Sequence, residues 1–183
     1  MKSKFYIYKS FFQEKDYIKL NIKRKYMLIL LYSLSDDDYY FRQKKIELAK
    51  ILNISKQTTT NTIKFLENKG YLSRIDPHNI KLPKPTDTDK IPMSETLVTG
   101  KYKHLSHGAK IFYTYYHNLQ EQENKEYLKI SGEEIVKPIG ITVRTLQEYY
   151  KELESVGLLK KGKETYTNTF SFKKIDDTPT LPY

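Results

Sequence analysis

Two stretches of this chain match each other at a constant offset of 87 residues, without a gap. The identical pairs are Glu47/Glu134, Lys50/Lys137, Ile54/Ile141, Thr58/Thr145, Lys64/Lys151, Leu66/Leu153, Glu67/Glu154, Gly70/Gly157 and Leu72/Leu159. Nine identities over 26 aligned positions exceed what composition alone gives, and every one falls inside a helix, turn, helix, strand pattern. The simplest account is two copies of one small fold, helix-rich and of the α+β class.

The first copy is the clearer. Residues 55–72 begin with Ser55, a natural N-cap, and reach Gly70, a natural helix stop. Thr59, Thr62, Ile63 and Leu66 recur at the spacing of one helix face, which leaves Lys56, Gln57, Thr60, Asn61 and Lys64 facing out. The pattern predicts a helix over residues 43–52 before it, with Asn53 and Ile54 as the turn, and a hairpin after it from residues 71–75 and 80–82. Residues 23–34 predict an apolar core helix, residues 39–41 a short strand, and the aromatic residues 4–12 a strand or extended arm.

The second copy starts at Ser106, which caps a helix to about Leu119. Residues 127–130 predict a strand, and Ser131 to Glu134 a capping box whose short helix Pro138 must end or distort. Residues 142–155 predict the matching helix with Gly157 as its stop, followed by a strand at 158–160, a loop at 161–166 and a closing strand at 168–175. Between the copies, residues 83–103 are proline-rich at the start and lack periodicity. The expected organisation is therefore a first domain at 1–82, a linker at 83–103, a second domain at 104–176 and a tail at 177–183.

Charge distinguishes the copies. The net +10 is distributed as +9 over residues 1–75, +1 over 76–104 and zero over 105–183. A polyanion is the implied partner, and charge alone does not separate DNA, RNA and an anionic membrane. No apolar run approaches the roughly 20 residues of a membrane span, and the opening residues are too short and polar for a secretory signal, so the expectation is a cytoplasmic protein with no membrane partner. Zero cysteines exclude disulfides, thiol catalysis and cysteine metal sites. His104, His107 and His117 lack the cysteines or carboxylates of a zinc pattern, and Asp36 to Asp38 lack the ligand spacing of a calcium loop. No phosphate loop, nucleophile elbow or paired-carboxylate pattern is present. Neither a metal, nor a cofactor, nor an enzymatic activity is expected.

Each half resembles a bacterial winged helix-turn-helix domain, so that the fold expected is two winged helix-turn-helix domains in tandem. The resemblance rests on Ile46 to Thr58 with Ile63 to Leu72 in the first half, and on Ile141 to Leu159 in the second. It implies that residues 55–72 hold a DNA recognition helix. Gln57 and Asn61 then suit adenine edges and Thr60 a thymine methyl, with Ser55 and Thr58 at the helix start and Lys44, Lys45, Lys56, Lys64 and Arg74 on phosphates. In the second half Arg144 suits guanine and Gln147 adenine. Lys151, Lys161 and Lys163 suit the backbone, while Glu148, Glu152 and Glu154 oppose it. The first half is also similar to the DNA-binding domains of plasmid replication initiators and phage replisome organisers, through its apolar first helix and the tyrosine-rich strand before Lys44.

Three functions are compatible with these residues. The leading one is a double-stranded DNA-binding transcriptional regulator, whose reading pair is formed within one chain or by a homodimer. The second is an origin-binding replication protein of a plasmid or other mobile element. The third, of another class, is an adaptor whose second half uses Tyr113, Tyr115, Tyr116, Tyr149 and Tyr150 to bind a protein, with only nonspecific DNA affinity.

Overall fold

The structure is a computed structural model and describes residues 4–76, 78–164 and 167–176. Phe5–Tyr8 form β1, and two single-turn helices, α1 (Ser10–Gln13) and α2 (Lys15–Ile18), lead into α3 (Ile22–Ser33). Asn21 caps α3 by accepting the Lys23 N–H at 3.0 Å. Residues 25–32 of α3 are buried without interruption, which makes it the central helix predicted from its apolar run.

β2 (Tyr40–Phe41), α4 (Lys45–Leu52), α5 (Lys56–Asn68), β3 (Ser73–Arg74) and β4 (Ile80–Lys81) follow, and the strands form one sheet in the order β2-β4-β3. Asn53 takes the left-handed backbone, φ 53°, that turns α4 into α5, and Gly70 does the same at φ 78° after α5. Leu48, Leu52, Ile63, Leu66 and Ile80 bring the inner faces of these elements into the same apolar cluster as α3.

Residues 83–103, expected as the linker, carry regular structure. They contain β5 (Lys90–Met93) and α6 (Glu95–Val98), and β5 pairs antiparallel with β1, Phe5 opposite Met93 and Ile7 opposite Ile91. Ile91 and Met93 point into the core while Pro92 points out, and a two-stranded ribbon tolerates a residue without an N–H.

The remaining elements are α7 (His107–Gln122), β6 (Leu128–Lys129), α8 (Gly132–Ile139), α9 (Val143–Ser155), β7 (Leu159–Glu164) and β8 (Thr167–Phe172). Their sheet order, β6-β8-β7, repeats that of the first sheet. Gly140 (φ 76°) stands where the first half has Asn53, and Gly157 (φ 71°) where it has Gly70. The Ser131 capping box forms as expected, but Pro138 lies inside α8 instead of ending it. Its missing N–H falls in the last turn, where it removes one hydrogen bond, and the helix ends one residue later at Ile139, with Gly140 as its cap. Residues 161–164, expected as loop, extend β7, and Thr165 and Tyr166 lie outside the described residues. So do residues 177–183, the expected tail.

An apolar cluster joins the elements of both halves, with α3 packed against α7 and α1 and α2 against α8. Two hydrogen bonds cross between the halves at its centre. The buried Lys25 ammonium donates to the Ile139 carbonyl at 2.6 Å, and the His107 Nε2–H donates to the Leu52 carbonyl at 2.9 Å.

Candidate nucleic-acid interface

α5 is an amphipathic helix with its caps in place. The Ser55 hydroxyl accepts the Thr58 N–H at 3.0 Å and lies 2.8 Å from the Thr58 hydroxyl. Thr59, Ile63 and Leu66 are buried, and the expected outer face of Lys56, Gln57, Asn61 and Lys64 is exposed. Thr60 is half-buried, its hydroxyl donating to the Lys56 carbonyl at 2.9 Å, so only its methyl remains for an apolar contact. Gln57 Nε2 donates to Asn61 Oδ1 at 2.9 Å. This bond orders both amides along the helix and leaves the Gln57 carbonyl and the Asn61 amine to meet a base edge.

Lys44, the N-cap residue of α4, is exposed and Lys45, at the start of α4, is half-buried. Arg74 is differently placed from the free phosphate ligand expected. Its Nη2 lies 2.5 Å from Glu67 Oε2, and its Nε donates to the same oxygen at 2.6 Å. The guanidinium holds the Glu67 carboxyl below its ordinary pKa, and the pair ties β3 to the end of α5. Two cations that sequence reasoning missed flank Tyr40 of β2: the Arg42 guanidinium 4.7 Å and the Lys81 ammonium 3.9 Å from its ring centre. Lys81 stands opposite Tyr40 across the sheet, a pairing of residues 41 apart that no local pattern reveals.

In the second half Thr142 reproduces the cap, accepting the Thr145 N–H at 3.2 Å, and its hydroxyl lies 3.0 Å from that of Thr145. Leu146, Tyr149, Tyr150 and Leu153 are buried, so Val143, Arg144, Gln147, Glu148 and Lys151 form the outer face of α9. Glu152, expected to oppose phosphates, instead accepts the Ser106 N–H at 2.7 Å at the start of α7. β7 and β8 pair over six positions, against two in the first hairpin, and carry Lys160, Lys161 and Lys163 exposed. The Lys161 ammonium sits 5.2 Å from the Tyr150 ring centre. Tyr113, Tyr116, Tyr149 and Tyr150, the residues expected to make a protein-binding surface, are core residues, and Tyr115 is half-buried against Phe12.

These geometries place a capped polar helix, its preceding helix and a short hairpin in one continuous segment. Residues 38–79 match the MarR family. That match supports a winged helix-turn-helix DNA-binding protein, and it covers β2, α4, α5 and β3, ending just before β4. No curated protein and no solved structure matches the chain. The matched segment holds eight basic against four acidic residues, so the winged helix is also electropositive. Among the described residues no group of three histidine or carboxylate side chains gathers to hold a metal ion, and no helix is long and apolar enough to cross a membrane. The three histidines of the second half are occupied separately: His104 with the Lys101 carbonyl, His107 with Leu52, and His117 stacked on Tyr113.

Proposed function

We propose that this chain is a double-stranded DNA-binding transcriptional regulator in which α5 lies in the major groove. The observation that carries the reading is the exposed, capped face of Lys56, Gln57, Asn61 and Lys64 inside the segment that matches the MarR family. Gln57 and Asn61 read adenine edges, the Thr60 methyl meets thymine, and the N-terminal turn at Ser55 and Thr58 faces the backbone. Lys44, Lys45, Lys56 and Lys64 neutralise phosphates. Arg74 acts first as the strut between β3 and α5 through Glu67.

The second helix-turn-helix is the weaker reader of a tandem pair. Arg144 and Gln147 face out from α9, Lys151 lies further along it, and Lys161 and Lys163 extend the longer hairpin toward the backbone. Withdrawal of Glu152 to the start of α7 supports this assignment. A bivalent chain spans two groove segments about 34 Å apart without a second copy. The origin-binding reading gains no support from the comparisons, and burial of the tyrosines takes away the ground of the adaptor reading.

Binding to duplex DNA measured against salt tests the proposal. The account expects a steep log–log slope that becomes shallower by about one for each of Lys56→Ala and Lys64→Ala. Affinity for duplex that stays weak at every salt concentration contradicts it.

A further inference from the structure

α4 and α8 each precede an outward-facing helix, and each ends on a carbonyl held by the other half of the molecule. Leu52 is the last residue of α4 and Ile139 the last of α8, and the two are equivalent under the 87-residue offset. Helix-terminal carbonyls have no partner within their helix and need a donor from outside. His107, on the first turn of α7, supplies it to Leu52 at 2.9 Å, and Lys25, at the end of the first turn of α3, supplies it to Ile139 at 2.6 Å. The two donors sit back to back: the His107 ring stacks on that of Tyr26, the neighbour of Lys25, at 4.5 Å between centroids and 18° between planes.

The donors do not follow the repeat. The caps of α3 and α7, Asn21 and Ser106, lie 85 residues apart and pair Lys25 with Lys110, which donates to the Lys103 carbonyl within its own half, and His107 with Ile22, which cannot donate. Equivalent carbonyls are thus held by non-equivalent donors, which is what an added junction between two similar units requires. The α8–α9 turn also approaches α2 closely, since a Cβ at Gly140 would fall 1.9 Å from the Ile18 carbonyl. The Lys25 ammonium reaches that same carbonyl at 3.4 Å.

We propose that Lys25 and His107 are positioning residues that fix α5 and α9 at one mutual angle, so that a single chain accepts only one spacing between its two DNA segments. The proposal rests on the bivalent reading above. Each bond anchors the left-handed turn from which its recognition helix departs, at Asn53 and Gly140. Release of either anchor lets that helix swing about the turn without altering the side chains it presents.

The test has two arms, both on the full chain. In the first, wild type, Lys25→Met, His107→Phe and His107→Gln select from duplexes that carry two segments at varied separation. Wild type and His107→Gln, which keeps a donor, select one separation. Lys25→Met and His107→Phe select the same base motifs spread over several separations. Wild-type spacing selectivity in both donor-less variants overturns the proposal. In the second arm, amide hydrogen exchange is measured without DNA. His107→Phe raises exchange about tenfold or more at Asn53 and Ile54 alone, and Lys25→Met does so at Gly140 and Ile141 alone. A uniform rise, or none, overturns the positioning role. Should wild type select a single motif with no spacing preference, the bivalent reading fails, and the exchange pattern by itself then upholds or overturns the anchoring. His107→Phe keeps the ring stacked on Tyr26, so it carries both arms should Lys25→Met not fold.

Discussion

At the scale of single residues, the buried cations are the least expected feature. Lys25 and Lys110 are almost fully buried, and each satisfies its ammonium with a backbone carbonyl, Ile139 for Lys25 and Lys103 for Lys110. Burial lowers both pKa values to about 8. In the unfolded chain the same groups stay charged up to their ordinary value near 10.5. Between those limits the unfolded state binds more protons, so stability rises with pH there; below about 8 both states are protonated and the penalty is constant. Burial raises the pKa of Tyr26, Tyr32, Tyr116 and Tyr150, so that tyrosine ionisation in the unfolded chain opposes the gain from about pH 10. The urea midpoint is therefore expected to be higher at pH 9.5 than at 7.5, with a smaller rise in Lys110→Met. A midpoint that falls over that interval contradicts the assignment. Neither lysine was legible in the sequence, since a lysine inside a helix pattern defaults to the surface and only a distant carbonyl makes burial tolerable. The pairing of Arg74 with Glu67 was hidden in the same way, by the turn at Gly70 that separates them.

At the scale of elements, the turns differ more than the helices they join. Gly70 and Gly140 share left-handed backbone, φ 78° and 76°, but a Cβ at Gly70 meets open space while one at Gly140 falls 1.9 Å from the Ile18 carbonyl. Gly70→Ala is thus expected to cost about 1 kcal/mol from backbone alone. Gly140→Ala adds a collision with main chain and is expected to cost at least about 2 kcal/mol more, read by chemical denaturation. Equal losses contradict the packing of α2 on the α8–α9 turn. Helices with caps and a 3.6-residue period, α3, α5, α7 and α9, were legible because local residues determine them. β5 was not, because four residues containing Pro92 carry too little pattern, and their strand identity comes from pairing with β1 more than 80 residues away. The extension of β7 was likewise set by its partner β8 and not by its own lysine-rich composition.

At the scale of the molecule, the repeat is visible in sequence but the junction is not. Twenty-six aligned positions announce two similar units, whereas the β1–β5 ribbon, the α3–α7 contact and the crossed hydrogen bonds that join them depend on residues outside the repeat. One apolar cluster spans both units. The 183-residue chain is expected to unfold in a single transition, and residues 1–82 alone, lacking β5 and α7, to show no cooperative unfolding. A stable fragment contradicts a shared core. The expected boundaries at residues 82 and 104 then separate two similar sequence units within one shared core.

We propose that two outward helices of one chain read duplex DNA, α5 foremost. It is tested most directly by selecting bound duplexes with wild type, Asn61→Ala and Arg144→Ala in parallel. The expected result is a bipartite motif in which Asn61→Ala erases preference in the stronger part and Arg144→Ala relaxes it in the weaker part, each at a cost of about 1 to 3 kcal/mol for the favoured base. An identical selected motif for all three proteins contradicts it.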